Sequence, residues 1–247
     1  MLTLTSPGPT PAPSPPTIPD ARPADIRHLV VIGHPGPASF NHSVANAYAD
    51  TVISYGQTAI VRDLYATGFD PLLKPFERPG TPGFRLSPDV ETELAEVRRA
   101  AVIVLVYPIW FGTPPAIIKG YVERVLGSGL PPRRCNGAEG EPELAGKDLV
   151  ILSTSGTTRP WLEESGQWLG LRQAFDLYLQ TVFHLASVEH IHADAIVAPL
   201  EPSYAAECLA NVEQQARITC ARLLSAAHSR RKCALLDQYF TQQARHA

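Results

Sequence analysis

Short apolar segments alternate with helical patterns along most of the chain, and this alternation restricts the possible folds more than any other feature. The segment AVIVLVYP is apolar at nearly every position, as expected for a central parallel strand that is buried on both faces. Strands alternating with helices predict an open, doubly wound α/β domain with right-handed crossovers. The five predicted strands cover residues 26–33, 58–65, 101–108, 147–155 and 188–199.

The chain divides into three parts by composition. Residues 1–25 are rich in Pro, Ser and Thr, and they have too few apolar side chains to offset the entropy of ordering, so we predict a disordered tail. Residues 26–228 contain no linker-like stretch and form the α/β domain. Residues 229–247 form a C-terminal extension that starts with a solvated helix end at Arg230-Arg231-Lys232.

The composition excludes several classes of function. A net charge of −3 argues against nucleic-acid binding, which needs a basic face. No apolar run approaches the roughly 20 residues of a membrane-spanning helix. The four cysteines are widely spaced and form no CxxC pair, so neither a metal site nor a disulfide framework is predicted. Reduced thiols favour a cytoplasmic protein.

Two later segments carry further expectations. A helix is predicted over about residues 167–185, and it is apolar almost all round, which indicates cover on more than one side and hence a homodimer interface. His190 and His192 lie two apart on the last strand and therefore face the same side. We expect a half-exposed strand face there, because a metal pair would need further ligands. The last helix is predicted from about Ser203 to His228.

Ligands of open α/β sheets bind beyond the carboxyl ends of the strands, so the loops after strands one, three and four are the candidates. The first loop lacks both GxGxxG and GxxxxGK[ST]. Its Ser39, Phe40 and Asn41 stand at a predicted helix start, where free N–H groups suit a phosphate, and His34 adds a possible positive donor. Alternatively, Ser39 or Asn41 only caps the helix, and His34 is a surface turn residue.

The other two loops suit a planar heteroaromatic ring. The third-strand loop provides apolar faces and backbone groups, and the fourth-strand loop provides small, hydroxyl-rich residues for a polar edge. Each loop alone is also compatible with an ordinary turn, with Trp110 packed on a neighbouring helix. Their position with the first loop at one edge of the sheet favours a ligand. The residues are Pro108, Ile109, Trp110, Phe111 and Gly112, then Thr154, Ser155, Gly156 and Thr157.

The chain resembles the flavodoxin-like NAD(P)H:quinone oxidoreductases, a family that includes DT-diaphorase and its bacterial relatives. The resemblance rests on residues 33–45, 62–73, 107–126 and 143–158. The third segment is the most specific, since the family shows a pattern of Pro, Trp, Pro-Ala and Lys-Gly-aromatic before the next helix. Here that pattern appears as Pro108, Trp110, Pro115-Ala116 and Lys119-Gly120-Tyr121.

The resemblance implies a five-stranded parallel sheet of order 2-1-3-4-5 in a homodimer that uses FAD, or alternatively FMN. NADPH or NADH would reduce the flavin, and a quinone or similar planar acceptor would then take the hydride. The family motif assigns the flavin phosphate to His34, Ser39, Phe40 and Asn41, and the flavin ring to Pro108–Gly112 and Thr154–Thr157. The substrate pocket would be lined by Trp110, Phe111, Trp161 and Trp168.

The chain departs from the family after the fourth strand, where relatives carry a Tyr and a His but residues 158–171 contain neither. Backbone N–H groups would then stabilise charge on the flavin, and the rate of flavin reduction would vary little between about pH 5.5 and 7.5. Two other functions remain open: a flavin-binding regulatory or ancillary subunit, and a one-electron carrier of the flavodoxin type.

Overall fold

The computed structural model describes residues 22–130 and 143–246, so most of the predicted tail lies outside the described residues. Five parallel strands form one sheet in the order β2-β1-β3-β4-β5, which confirms the predicted sheet and its topology. The strands are β1 (Arg27–Ile32), β2 (Thr58–Asp63), β3 (Val102–Pro108), β4 (Asp148–Thr154) and β5 (Ser187–Ala193).

Helices cover both faces of the sheet. They are α1 (Phe40–Ser54), α2 (Pro88–Arg99), α3 (Ala116–Tyr121), α4 (Arg159–Glu164), α5 (Gln167–Leu171), α6 (Tyr178–Phe183) and α7 (Pro202–His246). Helix α3 continues as a π-helical segment over Val122–Ser128, and a second π-helical segment, Arg172–Leu177, joins α5 to α6. Short 3₁₀ turns occur at Pro23–Asp25 and Pro75–Glu77.

Two predicted boundaries were wrong. Strand β5 ends at Ala193, six residues before residue 199, because Asp194 accepts hydrogen bonds from the Arg159 amide and the Tyr204 hydroxyl. The chain then turns back over the sheet, where the Ile196 amide donates to the Ser155 carbonyl. Helix α7 runs to His246 instead of ending near residue 228, so the described part of the C-terminal extension continues this helix.

The sheet separates two apolar cores. Every residue of β3 and β4 is buried, which agrees with the apolar pattern of the predicted central strands. One core lies between the sheet and α2, α3, α5 and α6, and the other lies between the sheet and α1 and α7. Within the described residues, no helix is long and apolar enough to cross a membrane.

A buried ion-pair network fixes the long loop between β2 and α2 against α3. The Arg124 side chain is 1% exposed and donates to Glu77 at 2.8 and 2.7 Å and to Asp89 at 2.7 Å. Burial alone would raise the pKa of Glu77, but hydrogen bonds from Arg124 and Ser87 lower this pKa to about 2. The network therefore holds a charged carboxylate inside the protein.

The strand register brings the three candidate loops together. Ile32 pairs with Val106, and Pro108 pairs with Thr154 at the carboxyl ends of β1, β3 and β4. Thr154 in turn pairs with Ala193, so the loop after β5 leaves the sheet at the same edge. Parallel strands end together, and the residues that follow them meet in one place.

Candidate active site

The start of α1 offers free donors to an anion. Ser39 precedes the helix with extended backbone, but its hydroxyl does not cap the helix and instead lies 2.8 Å from His42 Nδ1. Within the described residues, the amides of Phe40 and Asn41 have no acceptor. Two unpaired N–H groups and a hydroxyl at a helix N-terminus form a site for a phosphate group.

His42 and Asp63 orient the Ser39 hydroxyl. His42 Nε2 lies 3.0 Å from Asp63 Oδ2, at the end of β2. Burial opposes ionisation of Asp63, but hydrogen bonds from His42 and from the Ala66 and Tyr65 amides lower its pKa. Sequence analysis missed both residues; the three-residue spacing from Ser39 to His42 was the only local signal, since Asp63 arrives through the sheet register.

His34 faces the same space as a neutral group. Its Nδ1 accepts the Gly36 amide at 3.0 Å, and its ring lies 5.7 Å from that of Trp110. Burial lowers the pKa of His34, which disfavours the positive donor that the sequence suggested. The remaining ring nitrogen, Nε2, is then the donor that His34 offers to a ligand.

The aromatic loop after β3 is a two-residue hairpin. Trp110 and Thr113 exchange backbone hydrogen bonds of 3.0 and 3.1 Å around Phe111 and Gly112. Both turn residues have positive φ, 51° and 77°, which is the geometry of a type I′ turn. A large aromatic residue in this conformation is an outlier, and the Phe111 side chain is fully exposed. The strained turn thus holds an unpacked aromatic ring at the edge of the sheet.

Hydrogen bonds connect the loops after β3 and β4 to each other and to α1. Asn41 Nδ2 donates to Thr154 Oγ1 at 3.1 Å, and both residues are buried. The Ile109 amide donates to the Thr154 carbonyl at 2.6 Å. The amides of Gly156 and Thr157 have no acceptor in the part of the chain that the structure describes. These two amides remain available to the polar edge of a ligand.

Two cavities meet along these loops, and we call the two together the slot. A cavity of about 140 Å³ adjoins the start of α1, and one of about 520 Å³ extends past the hairpin; Ile109 and Gly156 line both. The first is lined by His34, Ser39, Phe40, Asn41, Pro108, Ile109, Trp110, Thr154, Ser155, Gly156 and Ile196. The second is lined by Ile109, Phe111, Gly112, Gly156, Thr157, Trp161, Leu162 and Gln167.

The structure brings together all residues predicted to bind a cofactor, since each lines one of the two cavities. Trp161, from the predicted substrate pocket, lines the larger one. Trp168 does not: it is buried beside the rings of His190 and His192, with centroid distances of 4.8 and 5.1 Å. Sequence analysis missed Ile196 because it assigned this residue to the last strand.

A chain of hydrogen-bonded polar side chains runs behind Ser155. Its hydroxyl lies 3.0 Å from His192 Nε2, and His192 Nδ1 lies 2.8 Å from Ser153 Oγ. Ser153 Oγ is also 2.7 Å from His190 Nε2, and His190 Nδ1 is 2.7 Å from Asp176. Strand β5 is half-exposed at most of its positions, as expected, although the side chain of His190 itself is 0% exposed. We call these five residues the histidine–serine chain.

Comparison with known proteins decides the family. A family model that describes the flavodoxin-like fold matches residues 26–217. The chain belongs to this family. An NAD(P)H oxidoreductase of Haemophilus influenzae, named as uncharacterized, is 29% identical over 167 residues, which is 67% of this chain and 81% of that protein. NAD(P)H dehydrogenase (quinone) 1 of Cavia porcellus is 33% identical over 122 residues, or 42% of this chain and 44% of that protein.

Solved structures show the same flavodoxin-like fold. The NAD(P)H:quinone oxidoreductase from Methanothermobacter marburgensis matches with a TM-score of 0.66 and 23% identity, covering 78% of this chain and 98% of that one. An FMN-dependent NADH-azoreductase from Bacillus anthracis, solved in complex with FMN, matches with a TM-score of 0.57 and 16% identity over 80% and 99% of the two chains. The predicted resemblance to NAD(P)H:quinone oxidoreductases is confirmed.

The site of this flavodoxin-like protein fits a flavin. Among the described residues, the amides of Phe40 and Asn41 are unpaired and form an anion cradle, Ile109 and Trp110 form apolar walls, and the unpaired amide of Gly156 lies at the far edge. A flavin cofactor has a phosphate on its ribityl chain, a flat ring and one polar ring edge, which correspond in order to the amides of α1, the apolar walls and the amide of Gly156. The described residues contain no cluster of three or more His, Cys, Asp or Glu that could hold a metal ion.

Proposed function

We propose that this protein is a flavin-dependent NAD(P)H oxidoreductase that passes hydride to a quinone or a similar planar acceptor. The observation that carries the proposal is the pair of adjoining cavities, which share Ile109 and Gly156 and reach from the anion cradle at α1 to the exposed aromatic hairpin. The relatives are named as NAD(P)H oxidoreductases and quinone dehydrogenases, which supports an enzyme of this class.

Each part of the slot has a separate task. A bound flavin would supply the chemistry of hydride transfer from NAD(P)H to the acceptor. Ser39 and the first amides of α1 would hold its phosphate, and Ile109 and Trp110 would provide apolar walls for its ring. The amides of Gly156 and Thr157 stabilise negative charge at the polar edge of the ring. Phe111 and Trp161 contact the acceptor.

The identity of the flavin is part of the proposal. FAD is the working hypothesis from the resemblance, and FMN, which the Bacillus anthracis azoreductase binds, is the alternative. Both carry a phosphate and the same ring, so the cradle and the slot serve either. Because Cys208 and Cys220 are buried free thiols, we also propose a reducing, cytoplasmic location.

A homodimer would cover the apolar surface beside the slot. Helices α5 and α6 and the segment between them bury Leu171, Phe175 and Phe183 against the sheet. Their outer face leaves Leu169, Leu177 and Tyr178 more than half exposed, close to the exposed hairpin. Such a surface is typical of a subunit interface. Light scattering at micromolar concentration should give the mass of two chains, and a fully active monomer would contradict this.

The proposed function is tested by cofactor and turnover together. The purified protein should show a flavin spectrum, and mass spectrometry of the released cofactor identifies FAD or FMN. NADH or NADPH consumption with a panel of quinones should then be flavin-dependent. Bound flavin without turnover on any quinone would favour the ancillary subunit instead, and a stable blue semiquinone would favour the one-electron carrier.

Removing the polar side chains of the cradle should weaken flavin binding. The double variant Ser39→Ala with Asn41→Ala is expected to lose about 1–3 kcal/mol of flavin affinity, the scale of hydrogen bonds to a charged group. Fluorescence titration under dilute conditions measures it. Ser43→Ala, exposed on the next turn of α1, is the control and should bind normally. Unchanged affinity in the double variant would refute this placement of the phosphate.

Relieving the turn strain at Phe111 should stabilise the protein and impair turnover. Phe111→Asn creates the Asn-Gly pair that a type I′ turn prefers, so we expect the free energy of unfolding to rise by about 1 kcal/mol. Quinone turnover should fall, because the exposed ring is lost. Urea unfolding and steady-state rates measure the two effects. Phe84→Asn, at another exposed ring without positive φ, should show neither gain nor loss.

A further inference from the structure

We propose that the histidine–serine chain holds Asp176 as a carboxylate, stores one proton beyond those of its two neutral imidazoles and two serine hydroxyls, and presents that proton, through Ser155, to the polar edge of the slot. This inference rests on the proposed function for the recipient of the proton, but the storage itself is a property of the flavin-free protein. Ser155 touches the slot, and Asp176, His190, Ser153 and His192 act through it as positioning residues.

The count of hydrogens gives the excess proton. The chain makes four contacts from Asp176 to Ser155, and the Ser155 hydroxyl donates a fifth bond to the Thr157 carbonyl at 2.7 Å. Five bonds require five hydrogens. When Asp176 is ionised, two serine hydroxyls and two neutral imidazoles supply only four. One additional proton completes the chain: His190 Nδ1–H then donates to Asp176, and the other four bonds point from His190 toward Ser155 and the Thr157 carbonyl.

The surroundings locate that proton on His190. Asp176 is buried, its Oδ1 has no partner among the described residues, and Arg172 reaches its other oxygen at 3.3 Å from a half-exposed position. A buried carboxylate needs a close cation, and the ring of His190 is the nearest group. Burial and the neighbouring His190 instead lower the pKa of His192 to about 4. His192 therefore transmits the proton without storing it.

Other charged groups bear on the chain from the neighbouring elements. Arg159 of α4 lies over the Trp168 ring at 4.4 Å, and Trp168 in turn covers both histidines. Asp194, after β5, and Arg159 act on His192 with opposite signs. Tyr107 of β3 is buried near Asp176, and its raised pKa keeps it neutral. None of these groups replaces His190 as the partner that the chain hydrogen-bonds to Asp176.

Delivery moves one proton and leaves every residue intact. Ser155 gives its hydroxyl proton to the polar edge of the flavin proposed for the slot, and it takes a proton from His192 Nε2. His192 Nδ1 takes the Ser153 proton, and Ser153 takes the proton of His190 Nε2. His190 ends neutral, with Nδ1–H still on Asp176, and solvent restores its proton. This proposal predicts a rate that depends on histidine, in contrast to the expectation from the sequence, since a histidine from β5 contacts the loop after β4.

Nitrogen NMR of the flavin-free full-length protein tests the stored proton without any activity. With ¹⁵N-labelled histidine at pH 7, one buried ring should carry protons on both nitrogens, and its signals should vanish in His190→Gln. The His192 ring should be neutral, with the proton on Nε2. Asp176→Asn should convert the His190 ring to the neutral form. Glu213→Gln, which removes one surface charge on α7, should leave both rings unchanged.

Ser153→Ala tests delivery, because it breaks the chain between the histidines and leaves Ser155 in the slot. Flavin affinity should stay within about twofold, while the rate of flavin reduction falls about 10²-fold, a typical contribution of general acid catalysis. The wild-type rate should fall as rising pH removes the stored proton, and the variant should lose this dependence. Ser165→Ala, whose hydroxyl donates only to the Leu162 carbonyl, is the control.

Each outcome decides a separate part. A neutral His190 ring in the wild type, or one that Asp176→Asn does not change, would overturn the stored proton. An unchanged rate and pH profile in Ser153→Ala would overturn delivery. If Asp176→Asn does not fold, the wild-type spectrum alone decides storage. Flavin bound without NAD(P)H oxidation would overturn the proposed function and delivery together, while the spectrum still decides storage.

Discussion

Replacing Arg124 with methionine should lower the free energy of unfolding by about 3–5 kcal/mol, because it leaves a buried carboxylate without its partner. Arg124 is the only cation that hydrogen-bonds to Glu77 among the described residues, and Glu77 is fully buried. Urea unfolding of the flavin-free protein measures the change. Arg217→Met removes an exposed ion pair with Glu213 and should cost less than about 1 kcal/mol.

The pH dependence of the Arg124 effect has a definite sign. The pKa of Glu77 is lowered in the folded protein from 4.5 to about 2, so its ionisation stabilises the fold fully above pH 4.5. That stabilisation is lost as the pH falls toward 2. The stability difference between the wild type and Arg124→Met should therefore narrow below pH 4.5. A difference that stays constant down to the acid limit would show that the cost is lost packing rather than charge.

Gly120→Ala should destabilise the protein by about 3 kcal/mol, near the upper end of overpacking effects. A Cβ atom at this position would lie 2.3 Å from the Pro71 carbonyl oxygen and 2.5 Å from Pro71 Cα. Both are backbone atoms, so helix α3 and the loop after β2 would have to separate. Thermal unfolding measures this loss of stability. The substitution should also loosen the start of α3 behind the aromatic hairpin.

Gly127→Ala is the matched control for Gly120 on the same helical stretch. Its Cβ would lie 3.4 Å from the Val122 carbonyl oxygen, which is an ordinary contact. Its unfolding temperature should remain close to that of the wild type. Equal losses in the two variants would mean that the helix is sensitive to any added methyl group, and the close approach to Pro71 would not be the cause.

The fold and most of the candidate site followed from local sequence. Strand β3 is apolar on both faces, and only a central parallel strand uses such a pattern, so its place in the sheet was predictable. Parallel strands also place their following loops at one edge of the sheet, so the sequence predicted that Ser39, Trp110 and Ser155 lie close together, as they do. The positive φ of Phe111 was not predictable, because an aromatic residue normally avoids it.

Features that depend on contacts distant in sequence were decided by the tertiary structure alone. His190 and His192 alternate with apolar residues, a pattern shared by half-exposed strands, and only the packing of Trp168 and Asp176 covers the side chain of His190 completely. The same packing removes Trp168 from the slot. Sequence determined which loops meet, since apolar periodicity predicts a parallel sheet and the family resemblance implies its strand order. Tertiary structure decided which side chains line the slot and which support it from behind, because burial depends on neighbours that no local pattern specifies.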